Sequence, residues 1–466
     1  MPARAMRYLL TMRARRFDVV VVGAGVAGSA AALLLARAHR RVVLVERRAL
    51  DEAGARWHNG VFPAVFGQVG LDRPGASECL ALEHEWRLVP PGGAPLRASC
   101  PLWQLSMPRL QCRLHAHARR AGVQILEHSQ AMSLDVDSGG RSRALIVQAD
   151  AGHEERLEAS LLVDASGLAA ALRRMHPQLA HQCPDLTPPD LVSAAQKRCS
   201  IVDPGGARAF LARHGAEPGQ GVTYTGVHGG YSTRMVLVSP DLGAVELLAG
   251  CIADRQPDGP GMLAALEGEN PWIGQTISGG AGLIPIRRPY ARLSAPGLIL
   301  IGDAACMVFP MHGSGVAPAL RAARLLADCT RRADDPGCES ATWGFSARFQ
   351  RTVGAVHAAY DVLRRHVQSI DGAEATALLG SGLMHPGLVE CALEQRMPDA
   401  ARLRPDRVFL GALRAPRTAG RSAPVLARML AAFAAYRLYP HRSDPAALRR
   451  WSRLGAWVAG FAADPV

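Results

Sequence analysis

Three observations predict an α/β chain, α+β overall. A strand–turn–helix–strand pattern stands near residue 20, a second glycine-rich turn follows a buried strand near residue 300, and turn-rich alternating strands lie between them. Together they predict a parallel-sheet ligand-binding domain, an inserted antiparallel sheet and a helical C-terminal region.

The first pattern is FDVVVVGAGVAGSAAALLLARAHRRVVLVER, residues 17–47. Phe17–Val22 is an apolar, β-branched run suited to a buried parallel strand. Gly23, Gly25 and Gly28 then fall in G-x-G-x-x-G spacing. The first glycine makes the tight turn, the second lets backbone approach a pyrophosphate, and the third lets helix pack on strand. The helix SAAALLLARAH offers free N–H groups and a positive dipole end to phosphates. The next strand ends in Glu46, 18 residues after Gly28, where an acid takes ribose hydroxyls. This is a Rossmann-like, dinucleotide-binding unit, and its place so early in the chain, followed by Arg47, favours FAD over NAD.

Residues 56–71, RWHNGVFPAVFGQVGL, read as a loop into a short helix. MPRLQCRLHAHARRAGVQI, from 107, is an amphipathic helix feeding a strand. Strands ALIVQAD and RLEASLLVDASG follow, the second stopping at Asp164 and Gly167. Alternating runs such as STRMVLVSP and AVELLAGCIA across 190–290 predict the antiparallel layer. LILIGDAA, which carries Gly302 and Asp303, is another buried strand leading into a helix. From 336 onward the pattern is mostly helical. Domain segments are therefore 14–58, 105–185 and 281–335 for dinucleotide binding, 59–104 and 186–280 for the substrate-binding sheet, and 336–466 for the helical domain.

The 466 residues, 48% apolar and 20% charged, suit a soluble globular protein of two or three domains. No run of about 20 uncharged apolar residues predicts a spanning helix. The basic N-terminus has too short an apolar core, YLL, for a secretory signal; Arg15–Arg16 hints at twin-arginine export, but the run behind it reads as the cofactor strand. Ten cysteines without CxxC pairs predict reduced thiols, no metal site and a cytoplasmic setting. Net charge is +13, carried by arginine, with Lys197 the sole lysine. That excess predicts an acidic macromolecular partner, an anionic substrate or a membrane surface; no nucleic-acid motif accompanies it.

Three motifs carry a family resemblance over roughly residues 17–330: GAGVAGS with Glu46, LLVDASGLAAALRR with Asp164 and Gly167, and GLILIGDAACMVFPMHGSGV. The chain resembles the FAD-dependent aromatic-hydroxylase-type (group A) monooxygenases, near the flavin-dependent tryptophan halogenases and the geranylgeranyl reductases. The resemblance implies that Asp303 bonds the ribityl chain, that Pro310 lies beside the flavin ring, and that Gly313 and Gly315 bring backbone to its pyrimidine edge. It also implies that Arg56 stands near the FAD phosphates; Arg109 or Arg113 could play a similar part.

The branches differ at a few residues. Halogenases share a W-x-W-x-I-P segment and a lysine; the nearest stretch here is PLWQLSMPRL, and the first 196 residues hold no lysine. Arginine does not replace it, because a guanidinium stays protonated. Where the tryptophan halogenases carry a glutamate, two residues past the proline of the third motif, this chain has His312. A histidine at the rim of a flavin pocket can accept a proton from a phenol or indole. His58 is the second catalytic candidate, with Trp57 and Asn59 as possible cavity walls, and Cys306 reads as packing. The function expected is FAD-dependent hydroxylation of an electron-rich indole or phenol with O2. Its substrate could be a tryptophan side chain of an acidic precursor polypeptide in quinone-cofactor maturation, or a carrier-bound ring. No second G-x-G-x-x-G unit follows a strand, so NAD(P)H binds transiently or a reductase supplies electrons. The alternative is a geranylgeranyl-reductase-like double-bond reductase, which the P-x-x-G-x-G form of Pro310–Gly315 fits; a halogenase or a non-catalytic flavoprotein scaffold ranks lower. Residues 424–442 read as a basic amphipathic helix that packs through its apolar face, with a membrane surface as the alternative.

Overall fold

The valine run after Phe17 becomes the centre of a parallel sheet. A computed structural model describes residues 14–150 and 152–466. Most of the basic N-terminal stretch lies outside those residues, while Arg15 and Arg16 open the first strand and pair with Glu155 and Glu158 at 3.0 and 2.8 Å.

The first sheet contains β1 (Ala14–Val22), β2 (Val42–Val45), β6 (Gln124–Leu126), β7 (Ser129–Val136), β8 (Ser142–Ala149), β9 (Glu154–Asp164), β15 (Ser294–Ala295) and β16 (Leu298–Leu300). Its order β6-β2-β1-β9-β16 is parallel throughout, with Val20 opposite both Val43 and Leu162. The β7–β8 hairpin pairs antiparallel beside β9. Both faces of β1 and β2 are covered, which is why VVVV and VVLV carry no polar alternation.

The second sheet holds β3 (His58–Val61), β4 (Cys79–Val89), β5 (Leu96–Ser106), β10 (Leu191–Ile201), β11 (Gly221–Thr225), β12 (Ser232–Val238), β13 (Ala244–Ile252) and β14 (Ile273–Pro285), in the order β14-β10-β13-β12-β11-β4-β5-β3. It is antiparallel except for the β4–β11 pair. The segment read as a loop from 56 contains β3, paired with β5 from His58–Ser106 to Val61–Trp103. HNGV has no strand periodicity of its own; the neighbouring edge imposes it. The sheet curls until its edges meet: a Cβ added to Gly280 or Gly282 of β14 would lie 2.9 or 3.1 Å from the Trp57 ring.

The principal helices are α1 (Val26–Arg37), α2 (Met107–Arg120), α3 (Val316–Thr330), α4 (Glu339–Phe349), α5 (Ala355–Ser369), α6 (Pro386–Leu393), α7 (Pro405–Arg414), α8 (Pro416–Arg437) and α9 (Pro445–Ala459). Helices α2 and α3 pack on α1, while α5, α8 and α9 build a separate core around Met429, Ala432, Tyr436, Tyr439 and Trp451. No helix of the described residues is long and apolar enough to cross a membrane.

Candidate functional site

A groove of about 540 Å³ opens at the carboxyl ends of β1, β2 and β9 and runs to the turn after β16. Ligands of open α/β sheets bind at this edge. The glycines make it possible. Gly23 sits at φ +100°, and a Cβ there would lie 2.4 Å from the Ala165 carbonyl oxygen. A Cβ on Gly28 would lie 1.9 Å from the Gly23 oxygen. Gly25 caps α1 without a side chain, leaving the first-turn N–H groups for a ligand.

Glu46 lines the groove and is buried; its Oε2 accepts from Ala24 N at 2.8 Å and its Oε1 from Arg48 N at 3.1 Å. Two residues of α2 that the sequence did not single out brace the turn. His115 Nε2 bonds the Ala24 carbonyl at 2.8 Å, and Gln111 Nε2 donates to the Ala55 carbonyl at 2.9 Å. Only their polar type on a buried helix face could have flagged them.

Asp164 does not face the groove. It is fully buried, with Oδ1 accepting from Ser166 N and Oγ at 3.1 and 2.6 Å and Oδ2 from Arg173 N at 2.7 Å. It shapes the turn that presents Ser166 and Gly167. Arg47 lines the groove, whereas Arg56 is exposed outside it. Arg113 is engaged elsewhere, donating to Glu78 Oε1 at 2.6 Å and to the Asp72 carbonyl at 3.1 Å. Arg109 likewise bonds the Ser77 carbonyl.

At the far end, Gly302, Asp303, Gly313 and Gly315 line the groove. The Asp303 carboxylate has no hydrogen-bond partner among the described residues, and desolvation pushes its pKa up to about 6. Gly315 caps α3 without a side chain, so this helix too aims free N–H groups inward. Pro310 does not line the groove; its carbonyl accepts from Tyr231 Oη at 2.8 Å. Cys306 is buried in the left-handed conformation, and burial pushes its thiol up to about 11, the inert packing role expected.

A second cavity, about 100 Å³, adjoins the groove through Trp57, Asn59, Ile284 and Gly313. Its further walls include Trp86, Leu102, Met235, Leu248, Leu393 and His312. Asn59 Oδ1 accepts from Ser314 Oγ at 2.8 Å, tying β3 to the third motif. His312 Nδ1 accepts from Ser314 N at 3.3 Å and Nε2 makes no hydrogen bond among the described residues. Burial pushes His312 down to about 4, outweighing the Ala392 carbonyl that favours its charged form.

The structure separates His58 from His312. His58 lines neither cavity; its Nδ1 lies 3.2 Å from Glu246 Oε2, and Glu246 is held by Arg198. Burial, with Arg198 adding to it, takes His58 down to about 4, and burial takes Glu246 up to about 7. This cluster closes the curl of the second sheet.

His357 of α5 lies behind His312, edge-on to Phe309 at 5.6 Å, with both ring nitrogens unpartnered among the described residues. Burial, then Arg321 and His312, push it from 6.5 down to about 3. A depressed histidine stabilises the fold fully above its unfolded pKa and loses that contribution as pH falls through its folded pKa. In denaturant melts, His357→Phe is therefore expected to gain on the parent as pH drops from about 6.5 toward 3, by a few kcal/mol.

Comparison with known proteins agrees with this geometry. Residues 18–175 match the FAD dependent oxidoreductase family. The chain is an FAD-dependent oxidoreductase. It is 24% identical over 388 residues to the digeranylgeranylglycerophospholipid reductase of Sulfolobus acidocaldarius, covering 77% of this chain and 79% of that one. It is 27% identical over 340 residues to the kynurenine 3-monooxygenase of Stenotrophomonas maltophilia, covering 68% and 72%. A geranylgeranyl bacteriochlorophyll reductase-like protein from Thermoplasma acidophilum shares the fold, with a TM-score of 0.71 at 18% identity over 88% of this chain and 100% of that one. The residues present fit FAD: an extended groove with a free helix N-terminus at each end, Glu46 at one end and the unpartnered Asp303 at the other.

Proposed function

We propose that this FAD-dependent oxidoreductase reduces carbon–carbon double bonds in the apolar chain of an isoprenoid-type lipid. The observation that carries this reading is the cavity beside the groove, among whose described lining residues there is no Asp, Glu, Lys or Arg. An aromatic acid needs a cation to hold its carboxylate, whereas an isoprenoid chain needs a dry apolar wall. The names of the Sulfolobus and Thermoplasma relatives, a phospholipid reductase and a bacteriochlorophyll reductase-like protein, support the same chemistry.

FAD, when bound and reduced, would supply a hydride to one carbon of the double bond, the other carbon taking a proton from solvent as the flavin returns to its oxidised form. The α1 N-terminus and Gly23 would hold its pyrophosphate, with Arg47 adding charge; Glu46 would take ribose hydroxyls through its remaining lone pairs; Asp303 would take the ribityl hydroxyls. Gly313 and Gly315 would let backbone approach the ring. Trp57 and Asn59 form the wall shared by groove and cavity, and so place the substrate and exclude water. Electrons would come from NAD(P)H or a reductase.

One observation favours a second reading, hydroxylation of a neutral indole or phenol, free or carried on a protein. His312 is neutral at physiological pH and lines the cavity, as a proton acceptor must. Halogenation lacks support, because Lys197 is outside the lining and paired with Glu267 at 2.7 Å.

The two readings part on His312→Ala. For the reductase, His312 only positions substrate: kcat/KM falls about tenfold with FAD affinity unchanged, and the parent shows no histidine inflection above about pH 5. For the hydroxylase, the loss is on the order of 10²- to 10⁴-fold. Steady-state kinetics of the variant across pH checks this, and a loss of the larger size overturns the reductase reading.

A further inference from the structure

We propose that the outward face of α7, α8 and α9 docks on an anionic lipid bilayer. Nine of the fourteen large apolar side chains exposed among the described residues lie between Leu403 and Trp457. Trp457 is 80% exposed, Phe409 64% and Leu430 62%. They are arranged, not scattered. On α8, Leu426 and Leu430 stand one turn apart and exposed, roughly a third of a turn round the helix from Met429, Ala432 and Tyr436, which pack inward. On α9, Arg450, Arg453, Leu454 and Trp457 share an outer stripe, while Leu448, Trp451, Ser452 and Gly455 face the core. The helix read from 424–442 thus packs on one side and leaves an adjoining one apolar and open.

Charge selects the occupant. Residues 401–466 hold twelve arginines against three aspartates and no glutamate, a net of +9 out of the chain's +13. Arg414, Arg417, Arg428, Arg437, Arg450 and Arg453 form no ion pair with a described residue. Apolar side chains interleaved with unpaired arginines, and an exposed tryptophan among them, are the composition of a surface lying at the headgroup boundary. Each arginine near an anionic membrane contributes about 1 kcal/mol of attraction. A second copy is a poor occupant, because a two-fold contact would set this positive face against itself. The face also adjoins the cavity: Leu393 of α6 lines it, and α7 packs through Gly411 on the backbone of Gly382 and Leu383, just before α6. Docking does not depend on which reaction the cavity performs.

The test is flotation of the FAD-loaded protein with phosphatidylcholine vesicles, with and without phosphatidylglycerol, at low and raised salt. The protein is expected to float with the phosphatidylglycerol vesicles at low salt, less so at raised salt, and weakly with phosphatidylcholine alone. Leu454→Glu with Trp457→Glu, and separately Phe409→Glu with Leu413→Glu, should lower partitioning about tenfold or more while flavin absorbance and melting stay as in the parent. Failure to float at low salt overturns the proposal, as does flotation that neither double variant weakens. Dimers dispersed by the same variants, or polyglutamate binding without vesicle binding, would assign the face to a second copy or an acidic polypeptide and equally overturn it. None of these readouts uses turnover, so they stand apart from the reaction proposed above.

Discussion

Gly28→Ala protein is expected to emerge from purification without bound FAD. The added methyl would lie 1.9 Å from the Gly23 carbonyl oxygen and 3.1 Å from the Ala165 Cβ. No rotamer relieves this, because a Cβ has none and one obstacle is backbone. The N-terminus of α1 must move off the turn, and with it the N–H groups that would meet the pyrophosphate. A loss of about 3 kcal/mol corresponds to more than a hundredfold in FAD affinity, read by flavin fluorescence titration. Gly67→Ala is the control, since its Cβ would meet nothing within 4 Å. Its affinity should match the parent's, and a Gly28→Ala protein that keeps the parent's affinity would contradict the role given to this turn.

The other large effect lies far from the groove. Asp464 is buried and accepts from Arg287 Nη2 at 2.6 Å and from Ala291 N at 2.8 Å, with Arg288 Nη2 at 3.5 Å. Arg288 also stands over the Phe461 ring at 3.5 Å and reaches Asp361 at 3.7 Å. Asp361 is buried, yet Arg364, Arg365 and Arg288 overcome that burial and hold it down at about 2. Removing one partner of a buried pair leaves an uncompensated charge, which costs about 3–5 kcal/mol. Asp464→Ala should therefore unfold at markedly lower denaturant and melt several degrees below the parent. Asp464→Leu combined with Arg287→Met should recover much of the loss, because matched apolar replacements remove both charges together. An Asp464→Ala protein as stable as the parent would show that this network does not fasten the C-terminal helices to the 287–292 segment.

The sequence made the flavin domain legible because its chemistry is local. Gly23, Gly25, Gly28 and Glu46 lie within 24 residues, and a strand, turn and helix of fixed period connect them. Gly302 and Asp303 were readable as the end of a buried strand, whereas the roles of Asp303, Gly313 and Gly315 came only from the family resemblance. What is assembled across the chain was not legible. The curl of the second sheet brings Trp57 over Gly280 and sets His58 against Glu246, and no spacing in the sequence announces either contact. Hence His58, the second catalytic candidate, faces Glu246 and lines neither cavity. Arginine positions were the hardest: Arg113 and Arg56 share their residue type with the groove-lining Arg47, and only the fold shows that Glu78 engages Arg113. Asp164 was visible as the end of a strand, but that its carboxylate would be consumed by Ser166 and Arg173 N follows from a turn geometry that the residues DASGL do not determine alone.

The preference between the two reactions follows from the cavity, whose described lining residues carry no Asp, Glu, Lys or Arg and in which His312 is the one imidazole among them and is held neutral. The measurement that addresses the central claim most directly is mass spectrometry of a polyprenyl lipid after anaerobic incubation with the chemically reduced, FAD-loaded protein. The account predicts that the lipid gains two hydrogens per double bond reduced, and that the flavin returns to its oxidised spectrum as it does so. An unchanged lipid under these conditions, together with oxygen-dependent gain of one oxygen atom by an indole or phenol, would contradict it.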